Sequence, residues 1–308
     1  MVQFGSRTVL EPAQWQARRD THFERVRTWT VPHRERSRRG EQHPVWDFLF
    51  EYYAFRPSWL ERWHPGPDVA LSGDAAAEFL RWPAYHRIDS GVGLNTAALS
   101  EPRRIFVAWL QALLAGIGSR PAFFGCHGLH EWAMVYRQSA ETVRHARYPL
   151  RLGPEALAEV VESLPVRCTH FDAFRFFTPA ARPLNRLQPE RAAVPELEQR
   201  GCLHANMDLY KWAFKLAPYA PSELIADAFA LARDIREVDM RASPYDLAAL
   251  GFAPIAIETP EGRAEYEARQ REFEQRAAPV RGRILGLCNR LLAGLESGPA
   301  RPEVALHP

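Results

Sequence analysis

The sequence predicts a mainly α protein, a single multi-helix domain over residues 1–295 with a few short strands, followed by a disordered tail at 296–308. Three observations carry this expectation. Apolar residues recur at helical spacing through most of the longer segments, and several of these open on proline, serine or threonine. Strand-like runs are few and short. At 308 residues, 46% hydrophobic and 25% charged, the chain can bury one large core, and its 25 prolines sit in ordered steps such as "RWHPGP" that mark no linker.

Residues 12–29 form the first amphipathic helix candidate, with Pro12 near its first turn and a basic arm, "RERSRR" (Arg34 to Arg39), completing an N-terminal unit at 1–40. That arm reads as a solvated charge run or as a phosphate contact. "HPVWDFLFEYYAF" starts a second helix at Pro44, apolar almost all round, as buried helices are. "PRRIFVAWLQALLAG" begins on Pro102 and ends on Gly116. Ser222 is placed to cap "ELIADAFALARDIREVDM", whose Leu224, Ile225, Ala228, Phe229, Ala232 and Ile235 make one apolar stripe. Ser243 and Thr259, each before a proline, open two more helices. The strand candidates are "VAL" at 69–71, "YPLRL" at 148–152, "VRCTHF" at 166–171 and "PIAIE" at 254–258.

A formal net charge of +2 is too small to indicate a polyanion partner by itself. No run reaches the roughly 18 apolar residues of a membrane span, and the N-terminus lacks the order of a secretory signal, so a cytoplasmic protein with no membrane partner is expected. Four cysteines without a CxxC do not make a disulfide framework, but Cys126, Cys168 and Cys202 each lie within two residues of a histidine. Only two of the 39 basic residues are lysine, Lys211 and Lys215. Their retention reads either as chance, two solvated helix lysines, or as a need for a compact, titratable amine.

Three polar constellations stand out. In "FFGCHGLHEWAMVYR", helical spacing puts His127, His130 and Glu131 on one face. "THFDAFRFF" puts His170 and Asp172 on one face of an extended segment, among four phenylalanines. "CLHANMDLYKWAFK" lines up His204, Asp208, Lys211 and Lys215 along one helical stripe. The shared faces predict that His127, Glu131, His170, Asp172, His204 and Asp208 converge on one cavity. Two imidazoles with a carboxylate suit Zn or non-haem Fe, with His127, His130, His170 and His204 as the imidazole ligands. Gly116-Ile117-Gly118 reads either as a helix C-cap and turn or as a phosphate-holding hairpin.

Taken together, "HPVWDFLFEYY", "RWHPG", "FGCHGLHEWAMVYR", "HFDAFRFFTPAARPLN", "CLHANMDLYKWAFKLAP" and "DMRASPYDL" resemble a group of actinobacterial proteins generally labelled 3-methyladenine DNA glycosylase, over roughly residues 12 to 280. That resemblance implies a DNA partner and hydrolysis of the glycosidic bond of an alkylated purine flipped from the duplex. Its chemistry would draw on Glu131, Asp172, Asp208 and Lys211. The runner-up reading is a metal-dependent enzyme, with Fe or Zn held by a His/Glu/Asp cluster and a small molecule as substrate. A non-enzymatic helical binding protein is the third.

Overall fold

The computed structural model describes residues 7–138 and 148–296, so the tail expected from 296 onward lies almost wholly outside the described residues. The architecture is mainly α with one small sheet, and a single hydrophobic core runs from Trp15 to Leu291. Among the described residues, eleven α-helices span Pro12–Arg38 (α1), Phe48–Tyr52 (α2), Pro57–Leu60 (α3), Glu101–Ser119 (α4), Leu129–Ala133 (α5), Pro154–Ser163 (α6), Phe171–Phe174 (α7), Val194–Leu197 (α8), Leu203–Lys215 (α9), Ser222–Arg241 (α10) and Pro260–Glu296 (α11). None of the helices among the described residues is long and apolar enough to cross a membrane.

The centre of the molecule is α9, packed against α10 and α11, which also meet each other, while α4 packs on α11 and reaches α9 through Phe106 and Trp109 against Trp212. Eleven of its thirteen residues are buried, polar ones included. The α10 stripe is buried as the periodicity predicts, from Leu224 to Ile235. Burying each such Leu, Ile or Phe contributes about 1.5–3 kcal/mol, and this stripe seats α10 on α9.

The sheet has strands Thr8–Leu10 (β1), Val69–Leu71 (β2), Tyr85–Ile88 (β3) and Gly91–Leu94 (β4) in the order β1-β2-β4-β3. β1 runs parallel to β2, and the other pairs are antiparallel. At Gly91, φ is +126° and an added Cβ would lie 2.1 Å from the Leu71 carbonyl oxygen, so only glycine lets β4 approach β2.

Several local expectations are corrected. α1 continues through the basic arm to Arg38, and three of the arm's four arginines already have partners: Arg34 pairs with Glu61, Arg36 with Asp47 and Arg39 with Glu41. The arm is therefore a structural seam. The second helix is shorter than expected, because residues 44–47 form turns before α2. Gly116-Ile117-Gly118 lies inside α4, which runs on to Ser119, so there is no hairpin. Ser222 is used otherwise than as a side-chain cap: its Oγ accepts from the His64 N–H and donates to the Arg62 carbonyl. No helix follows Ser243 directly, whereas Thr259 does cap α11 by accepting from the Gly262 N–H at 3.0 Å. Of the strand candidates, 69–71 is β2, and 148–152 contributes one isolated bridge, Leu150 to Tyr245. The segments 166–171 and 254–258 carry no strand.

Candidate metal centre

α9 supplies two of the central side chains, His204 and Asp208, one turn apart on its inner face. The helix starts tight against the 123–126 segment, since a Cβ on Gly201 would lie 2.7 Å from the Phe123 carbonyl oxygen. Glu198 directly follows α8, in extended conformation, and its side chain is buried against His170. His170 precedes α7 with extended backbone, so its ring turns inward while Asp172, already in the first turn, stays half-buried. α5 contributes His130, and α10 contributes Asp239 and, one turn earlier, Arg236.

These side chains form two adjoining trios whose potential ligand atoms lie within 4.8 Å of one another: His130, His204 and Asp239, then His170, Glu198 and Asp208. All six are buried. The His204 ring joins the trios, edge-on to His130 with centroids 4.3 Å apart and stacked on His170 at 5.2 Å. His130 Nε2 faces Asp239 Oδ1 at 3.1 Å, yet neither atom has a partner in hydrogen-bond alignment. His170 Nε2 lies 3.3 Å from Asp208 Oδ2 and 3.4 Å from Glu198 Oε1. Donor atoms each roughly 2.0–2.2 Å from one ion would stand about 3.0–3.5 Å apart, so these spacings suit coordination as well as hydrogen bonding.

The surrounding groups hold the carboxylates in place. Tyr53 Oη donates to Asp208 Oδ1 at 2.6 Å, and Lys211 Nζ donates to Asp208 Oδ2 while lying 3.5 Å from Asp172. Arg236 Nη1 donates to Asp239 Oδ2 at 3.1 Å and to Glu131 Oε1 at 2.9 Å.

Electrostatics sets the groups apart. Burial alone would raise Asp208 and Asp239, but Lys211 and His170 beside the first, and His130 beside the second, hold both carboxyls well below the usual range. Glu198 lacks such help, and burial pushes it up to about 7 even with His170 pulling the other way. Burial would lower His130 and His170; their neighbouring carboxylates outweigh it and raise both. Burial and the adjacent His130 keep His204 neutral, with its value well below the ordinary one.

The expected convergence is therefore partial. His170, His204 and Asp208 meet, and His130 joins them. His127 does not, because it has φ +45° and Gly128 φ +69°: the helix starts only at Leu129, and the charges that act on His127 are Glu267 and Arg263 of α11. Glu131 lies beyond Arg236 and supports Asp239 through it. Asp172 and Lys211 stand at the edge, Asp172 also pairing with Arg175 at 3.3 Å. Lys215 points away toward a separate cavity. Glu198, Tyr53 and Arg236 were missed in the sequence. Asp239 lies in the quoted stretch "DMRASPYDL", and its i, i+3 spacing from Arg236 on a buried helix is a usable signal.

Beside the centre is a cavity of about 20 Å³, lined among others by His130 and His204, by Cys126, Cys168 and Cys202, and by the exposed Arg167. The volume suits a water-sized ligand. All three cysteines are free, and burial raises their thiols, Cys168 to about 12, so protonated sulfur faces the cavity. In comparisons with known proteins, no family model, curated protein sequence or solved structure matches this chain, so its function has to be read from the geometry of the centre.

Proposed function

We propose that the protein is a metal-dependent enzyme acting on a small molecule, with a buried centre of three imidazoles and three carboxylates. One observation carries the reading: His130, His204 and Asp239, with His170, Glu198 and Asp208, aim two sets of ligand atoms at adjoining points in a buried interior. Burying that many polar groups is costly without a compensating charge. Two imidazoles and one carboxylate in the first trio, with no thiolate, favour non-haem iron or manganese over a thiolate-bound zinc. Bound there, such an ion would supply Lewis-acid or redox chemistry.

The chain's own residues would do the positioning. Tyr53 and Lys211 fix the Asp208 carboxylate, Arg236 fixes Asp239, and the 20 Å³ cavity admits a water-sized co-substrate.

Metal analysis of the purified protein tests the proposal. At least one equivalent of Fe, Mn or Zn is expected per chain, lost in His204→Ala and Asp239→Ala but kept in His127→Ala. A metal-free protein that folds and excises 3-methyladenine from alkylated DNA would replace this reading with the glycosylase one.

A further inference from the structure

A second, larger cavity lies at the opposite end of α9. It measures about 510 Å³ and is bounded by α3, the first turn of α4, the end of α9 and residues 82–84. That is within the usual range of small-ligand pockets. Asp208 and Lys215 are seven residues apart on α9, about 10 Å along the helix, so the cavity is separate from the centre.

The walls are flat and aromatic. Phe55 and Phe214 stack with centroids 4.0 Å apart and planes within 8°, and Trp59 lies within 10° of Phe214 at 6.4 Å. Trp82 lines another side. Trp59 is 44% exposed, unusual for so large an apolar side chain, so part of this aromatic surface faces solvent.

The charged lining is of one sign. Arg62, Arg103 and Lys215 face the cavity, and no carboxylate does. Among the described residues, none of these three forms an ion pair with Asp or Glu, in a chain where most such pairs involve arginine. Arg103 donates Nη2 to the Lys215 and Ala217 carbonyls, while its buried Nε has no partner. The His64 ring, also in the lining, shares one hydrogen bond, between Nδ1 and Tyr85 Oη at 3.0 Å.

We infer that this cavity binds a planar aromatic anion, its ring among the aromatic walls formed by Phe55, Phe214, Trp59 and Trp82 and its anionic group among Arg62, Arg103 and Lys215. Parallel aromatic walls favour a flat ring over an alkyl chain, and three cations without counter-charges favour an anion over a neutral molecule. The anion is a carboxylate, as in an aryl acid, or a phosphate, as in a mononucleotide. The inference does not depend on the metal centre.

Titration calorimetry with 1-naphthoate, its neutral counterpart 1-naphthalenemethanol, and adenosine monophosphate tests it on the whole protein as purified. Saturable binding of one naphthoate per chain is expected, weakened at least about tenfold in Arg62→Met/Lys215→Met, because two exposed partners are removed. Both side chains are exposed, so the fold should survive, and circular dichroism checks this. Naphthalenemethanol should bind at least about tenfold more weakly than naphthoate. Adenosine monophosphate competing with naphthoate, with the same loss in the double variant, would support the site and identify the phosphate as its anion. The inference fails if neither anion saturates in the millimolar range, if the neutral analogue binds equally well, or if the double variant binds unchanged.

Discussion

Removing one hydroxyl, in Tyr53→Phe, separates a metal-ligating Asp208 from a merely buried one. The hydroxyl donates to Asp208 Oδ1 at 2.6 Å, and the carboxylate is almost fully buried. A hydrogen bond to a charged group contributes about 1.5–3 kcal/mol. An unfolding entropy of about 2.1 cal/mol/K per residue, over 308 residues, converts that loss to a melting temperature lower by about 2–5 °C. Differential scanning calorimetry of the EDTA-treated protein reads this number. The second readout is Fe(II) affinity measured anaerobically, which should fall about 10–100-fold, the usual cost of removing a group that orients a ligand. If Tyr53→Phe loses stability but binds Fe(II) as tightly as wild type, Asp208 is no ligand. An unchanged melting temperature would refute the hydrogen-bond argument as well.

Arg236→Met should destabilise by about 3–5 kcal/mol, because Glu131 and Asp239 are left buried without their shared cation; adding Glu131→Gln should restore part of this in denaturant titration, and no recovery would mean that the pairing is not the source. His64 is buried, and burial with nearby Arg62 lowers it from 6.5 to about 4. A base depressed in the folded state contributes stability above pH 6.5 that is lost as pH falls toward 4, about 3 kcal/mol in all; His64→Gln should flatten that acid limb, and an unaltered profile would refute the assignment. In α11, Gly262→Ala would place a Cβ 2.0 Å from the Ala256 carbonyl oxygen, whereas one on Gly282 meets nothing within 4 Å. The first substitution should cost about 1–3 kcal/mol and the second should gain about 0.4–1 kcal/mol, so equal melting temperatures would contradict the packing around the start of α11.

The parts of the centre legible in the sequence are those set by local periodicity. His204, Asp208 and Lys211 share a stripe because α9 is regular from Leu203 to Lys215, and spacing alone places them. The same logic misplaced His127, since two successive left-handed residues, His127 and Gly128, delay the helix and rotate the ring out of the stripe. Glu198 was invisible for a different reason. Its position depends on an extended residue after α8 and on Gly201 packing against Phe123, a contact between segments 78 residues apart. The basic arm misled because charge density carries no information about partners: Glu61 and Asp47, which neutralise Arg34 and Arg36, lie beyond the helix end. The sheet was hard to read because its strands are three or four residues long and their pairing is non-local.

Charge balance at the centre leads to a final prediction. Three buried carboxylates, Glu131, Asp208 and Asp239, face two fixed cations, Arg236 and Lys211, and Glu198, which burial raises to about 7, carries part of a fourth negative charge near neutral pH. Between one and two negative charges remain. Protons on His130 and His170 balance them in the metal-free protein, in line with the raised values of both imidazoles, where neighbouring carboxylates outweigh burial. A third proton on His204 is disfavoured, because burial and the adjacent His130 hold that ring neutral. One divalent cation supplies the same compensation, but an imidazole ligates only through an unprotonated nitrogen, so binding must expel what protonation supplied. Titrating Fe(II) or Zn(II) by calorimetry, in buffers of different ionisation enthalpy, should therefore show about one to two protons released per ion near neutral pH. The sign of the pH dependence follows. Protons compete more strongly as pH falls, so affinity should rise with pH until both imidazoles are neutral and then level off. Metal binding without proton release at any pH would mean that the imidazoles are already neutral, that the remaining negative charge is balanced elsewhere, and that this account of the centre is wrong.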